Sequence, residues 1–178
     1  MKSISILLGA LLVAAPPLFC ERPEEPSDSR SQTGFLLKFT LEESFDQVRA
    51  RVGKPVQIAA FGPNFVTWQY QVDMRDHHEF SHLFCFGDAD RKLVSVTQNF
   101  EEARNVDALF PAAQTTVHQW PDGRKPQFSI RVRRLPGDRL LMAMGASKPG
   151  QPISQLVLMR ASVVGLFHPW LATQLASR

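Results

Sequence analysis

The stretch Thr40 to Pro55, TLEESFDQVRARVGKP, constrains this chain more than any other. Phe45, Val48 and Val52 recur at helical spacing, and Asp46, Gln47, Arg49 and Arg51 turn away from them. Ser44 and Gln47 are placed to cap the helix start reciprocally; Thr40 and Glu43 offer an earlier, competing start. Gly53 suits a left-handed stop, and Pro55 forbids continuation. A helix this short is marginal in water and needs a sheet to lie on.

The rest of the chain reads mostly as that sheet. Phe35 to Phe39 suggests a short entering strand, and Pro55 to Phe61 a second, closed by Gly62-Pro63-Asn64. Val66, Trp68, Tyr70 and Val72 alternate with Thr67, Gln69 and Gln71, the pattern of a half-buried strand. His82 to Gly87 and Lys92 to Gln98 complete a first unit over residues 35–100. Asn105 is placed to cap a short helical turn through Val106, Leu109 and Phe110. Strands are then expected at Thr115 to Trp120, around Phe128 to Val132, at Leu140 to Ala146 and at Ile153 to Arg160. Val163, Leu166, Phe167, Trp170, Leu171 and Leu175 close the chain at helical spacing, with Pro169 starting a second helical piece. The expected class is α+β: antiparallel meanders with short helices packed on one side. Residues 35–100 and 101–178 read as two tandem helix-plus-four-strand units, the second ending in a C-terminal helix.

The N-terminus reads as an export signal. Lys2 precedes the apolar run Ile4 to Val13, and Ala14 and Ala15 follow. Ile4 to Phe19 falls short of the roughly 20 residues that a spanning helix needs. Residues 1–20 are therefore assigned to a signal peptide, cut after Ala14 or after Cys20. Residues 21–34, ERPEEPSDSRSQTG, carry no large apolar side chain and read as a disordered tether. Membrane association is expected only through the N-terminus.

The formal charge of the 178-residue chain is +3. Such a weak balance argues against nucleic acid as a partner. Two cysteines, Cys20 and Cys85, are too few for a disulfide framework.

Three clusters are candidates for function. Arg131, Arg133, Arg134 and Arg139, with Arg124 and Lys125, form a basic patch, in which alternation places Arg131 and Arg133 on one sheet face. A solvated face is the plain reading; a docking surface for acidic protein or phospholipid headgroups is the functional one. Asp76-His77-His78-Glu79 with His82 is the densest polar cluster. A metal site would use His78, Glu79 and His82, but a loop running into a strand does not bring these rings to one face. Cys85 and His82, three apart on a strand, point to opposite faces, so a catalytic pair is not expected. No nucleotide-binding or hydrolase motif occurs, and no cofactor is expected.

The segments Ser44-Phe-Asp-Gln-Val-Arg-Ala-Arg-Val-Gly-Lys-Pro55, Trp68-Gln-Tyr70 and Phe86-Gly-Asp-Ala-Asp-Arg-Lys-Leu-Val-Ser-Val96 resemble small outer-membrane lipoproteins of the SmpA/OmlA type. Those proteins carry a capped helix, a Trp-x-Tyr strand and a final valine-rich strand. The resemblance covers the first half of the mature chain and implies a helix-plus-sheet unit like that of the β-lactamase-inhibitor fold. It also implies a lipid-anchored assembly factor, with Cys20 as acyl acceptor. The functional expectation is an exported, non-catalytic protein-binding or scaffolding module of the periplasm or cell envelope, with another envelope protein as partner. A metal-binding envelope protein and the lipid-anchored assembly factor are the alternatives.

Overall fold

The computed structural model describes residues 34–71, 80–121, 128–146 and 153–177. Residues 1–33, which hold the expected signal peptide and all but the last residue of the expected tether, and the His77–Glu79 stretch lie outside them. The chain enters through a 3-10 turn, Phe35–Lys38, where a strand was expected. Phe35, Leu36, Phe39 and Leu41 are all buried in one core. In a strand Phe35 and Leu36 would face opposite ways; the tighter turn sends both to the same side.

Helix α1 spans Phe45–Val52. Gln47 N–H donates to Ser44 Oγ (3.4 Å), and Ser44 N–H donates to Gln47 Oε1 (2.8 Å), so the reciprocal cap forms. The competing pair also forms a contact: Thr40 N–H donates to Glu43 Oε1 at 2.7 Å. That bond closes a turn ahead of the helix and does not start one. Gly53 ends α1 at φ 79°, a left-handed angle that a side chain would resist.

The described strands are β1 (Gln57–Phe61), β2 (Phe65–Gln71), β3 (Phe80–Gly87), β4 (Leu93–Arg104), β5 (Thr115–Gln119), β6 (Phe128–Leu135), β7 (Arg139–Ala146) and β8 (Ile153–Arg160). They form one antiparallel sheet in the order β1-β2-β3-β4-β8-β7-β6-β5. Each run of four consecutive strands is a meander. The two meanders meet at their last strands, where Val96 sits opposite Leu158 and Gln98 opposite Leu156.

Period-two alternation gives the sheet two buried faces. One carries Trp68, Tyr70, Phe84, Phe86, Val96, Leu141, Leu156 and Leu158 beneath the entry turn and α1. Phe45 of α1 lies 4.7 Å from Trp68 and 4.4 Å from Phe86, ring centre to ring centre. Tyr70 Oη donates to the Gly53 carbonyl at 2.9 Å, tying the end of α1 to β2. The other face carries Ile130, Val132, Leu140, Met142, Val157 and Met159. Two C-terminal helices cover it, α2 (Val164–Phe167) and α3 (Pro169–Ala176), with Val164 and Leu171 inserted.

Helices therefore lie on both sides of the sheet, which corrects the one-sided packing expected above. Leu156, Val157, Leu158 and Met159 are all buried on β8, and Leu140, Leu141 and Met142 on β7. An unbroken apolar run on a strand needs cover on both faces. Burying each such side chain is worth about 1.5–3 kcal/mol. That gain offsets the weak propensity of helices this short.

Candidate functional site

Arg131 and Arg133 do share a face, as alternation requires. It is not a solvent face. Arg131 is 3% exposed and pairs through Nη1 with Asp107 Oδ1. Its guanidinium also lies 5.5 Å from the centre of the Phe110 ring. Arg133 Nη1 donates to the Leu109 carbonyl at 3.0 Å. Asp107–Leu109 is a 3-10 turn, started where Asn105 Oδ1 accepts from Asp107 N–H at 2.8 Å. The two arginines thus fasten the β4–β5 connection onto the sheet. A flat guanidinium with several donors suits that task better than a lysine. Burial of Arg131 corrects both readings given above, the solvated face and the basic docking face.

The other two arginines lie elsewhere. Arg134 is exposed at the rim of a groove of about 320 Å³ that Leu140, Val164 and Leu175 help to line. Arg139 Nε donates to the Pro136 carbonyl at 2.9 Å and so closes its own hairpin. The four arginines do not converge.

Of the metal candidates, His78 and Glu79 lie outside the described residues. His82 is on β3, 3% exposed, with its ring edge-on to Phe35 at 5.1 Å. Among the described residues no three His, Cys, Asp or Glu side chains come together as a metal site. Cys85 is buried near Ser95. Burial pushes its thiol up to about 12, and the Ser95 hydrogen bond offsets this only in part. A thiol held protonated is a poor nucleophile. Cys20 lies outside the described residues.

A broader cleft, about 800 Å³, opens beside α1 between Thr40, Glu43, Gln47 and Arg51. Its charges are matched internally: Arg51 pairs with Glu43 at 3.2 Å and donates to the Lys38 carbonyl at 2.5 Å. Glu42 at its rim pairs with Arg160 at 3.0 Å and Lys92 at 3.4 Å.

The surface that sequence reasoning missed is the free edge of β1. Among the described residues β1 pairs with β2 alone, in an unbroken register from Gln57 opposite Gln69 to Phe61 opposite Phe65. Val56 is 65% exposed, Ile58 61% and Phe61 49%. Phe61 stacks on Phe167 of α2 at 5.4 Å, and Leu166 beside it is also exposed. No charged residue occurs from Pro55 to Val66. Edge strands are usually blunted by charges, prolines or bulges, and β1 has none within its span. The uncharged run was visible in the sequence, but its place at a sheet edge was not.

No protein family matches the chain, and no curated protein matches it significantly. Solved structures give a low-level likeness. One is an extracellular protein containing an SCP domain from Bacillus anthracis str. Ames, at TM-score 0.45 and 13% identity, matched over 81% of this chain and 51% of that one. Another is a cysteine-rich secretory protein from Staphylococcus aureus subsp. aureus Mu50, at TM-score 0.42 and 7% identity, over 70% of this chain and 46% of that one. The chain spans about half the length of these structures. A likeness at this level carries no function across.

Proposed function

We propose that this chain is an exported cell-envelope protein, a non-catalytic binding or scaffolding module that takes up an extended protein strand at β1. The observation that carries this is the uncharged free edge of β1, with Ile58 exposed on one side and Phe61 on the other. An open edge offers unpaired N–H and C=O groups, and apolar side chains beside it give an incoming strand something to bury. Export rests on Lys2 and the apolar run Ile4 to Val13.

The likeness to SmpA/OmlA-type lipoproteins gains support from how its motif residues pack. Tyr70 of the Trp-x-Tyr pair holds the Gly53 carbonyl, and Trp68 lies against Phe45. We read the two meanders as tandem helix-plus-four-strand units, joined at β4 and β8 by a half-turn normal to the sheet. In support, a short helical segment precedes each meander, and both segments lie over the same face. Against a metal site, His82 packs within the core against Phe35.

The test is affinity capture from envelope extracts with three forms of the full chain: native, Ile58→Lys and Arg134→Glu. The expected result is recovery of bound protein by the native chain and Arg134→Glu, and its loss with Ile58→Lys. Equal recovery by all three would mean that β1 is not the binding edge.

A further inference from the structure

We propose that β1 pairs with β1 of a second copy, antiparallel about a two-fold axis at Ala59, so that two eight-stranded sheets become one. The inference rests on the reading of β1 as a strand-binding edge and names the strand that it takes. A pairing centred on Ala59 sets Ile58 opposite Ala60 of the second copy, and Gln57 opposite Phe61. Directly opposed residues in an antiparallel pair share a face, so Ile58 meets a small side chain with room for it. The exposed surface of Phe61 is then covered by the aliphatic stem of Gln57.

Charge is what favours a second copy over a different partner. A pairing centred on Ala59 brings the same few residues of both copies together, so an uncompensated charge near the centre would lie close to its like. The twelve residues Pro55 to Val66 contain no charge, and the polar groups of β1 reduce to Gln57 and the backbone. A partner selected by acidic or basic side chains would find nothing to read there. The backbone is also in a pairing state: β1 keeps a regular register with β2, with no bulge to turn its edge away. The molecule already contains the geometry required, because β4 and β8 join two meanders by antiparallel pairing of their last strands. The remaining edge, β5, is a less suitable mate. Pairing of β1 with β5 of another copy is heterologous and would propagate as a filament rather than close.

The experiment is sedimentation equilibrium on the full chain in a Cys20→Ser background, followed by cross-linking. The native edge is expected to give twice the single-chain mass. Ile58→Lys, which changes a side chain 61% exposed and so spares the core, is expected to give the single-chain mass. Ala59→Cys under copper-catalysed air oxidation is expected to yield a covalent dimer on a non-reducing gel; Val117→Cys, on the opposite edge, is expected to yield none. A native chain that sediments at single-chain mass overturns the proposal. So does a dimer that survives Ile58→Lys, or a species larger than a dimer. Where the native chain is monomeric, capture from envelope extracts separates the two ideas. Ile58-dependent capture of another protein leaves β1 a docking edge for a different strand, and Ile58-independent capture removes both.

Discussion

Arg131 is a charged residue placed by alternation on the correct face and by tertiary packing in the core. Its partner Asp107 keeps 37% of its side-chain exposure, so the two ends of the pair are not equivalent. Asp107→Ala leaves a buried guanidinium without its carboxylate and is expected to cost about 3 kcal/mol. Arg131→Leu is expected to cost less, because Asp107 can turn to water. Urea denaturation measures both, and the reverse order would mean that the pair does not hold the β4–β5 connection. Cys85 gives a second expectation at this scale. Its folded pKa is raised from 9.0 to about 12, so the protonated thiol is favoured in the fold. The stability this contributes is complete below pH 9 and is lost as pH rises toward 12, while the unfolded chain sheds its proton first. Native protein should therefore lose stability relative to Cys85→Ala above pH 9, by up to about 1.4 kcal/mol per pH unit. Parallel stability curves would contradict the burial of that thiol.

Elements with a complete local signal were readable from the residues alone. The bounds of α1 follow from Ser44, Gln47, Gly53 and Pro55, and Pro169 opens α3 from its first turn. Ser44→Ala removes the acceptor for Gln47 N–H and is expected to cost about 1 kcal/mol, with Ser44→Asp restoring most of it. Thermal unfolding of the two variants checks this; an unaffected Ser44→Ala would mean that packing alone fixes the start of α1. Phe35 to Phe39 was misread because an apolar run of that length fits a strand and a tight turn alike. The choice fell to the turn because Phe35, Leu36 and Phe39 are all needed on one side of the sheet. The same ambiguity hid the second covered face, since β8 carries its apolar residues in sequence rather than in alternation.

For the whole molecule, the deciding feature is the seam between β4 and β8. It makes one sheet of two meanders and leaves β1 and β5 as the edges among the described strands. Neither strand announces this, because Val96 and Leu158 lie far apart in the chain. The bond from Arg160 Nε to the Leu41 carbonyl, 2.7 Å long, joins residues 119 positions apart. Helix caps, turns and strand periodicity involve groups within a few residues of each other, so the sequence by itself determined where most of the elements lie. Strand order, the burial of Arg131 and the free edge at β1 depend on which distant segments share apolar surface. That was decided only when the chain had closed around both faces of the sheet.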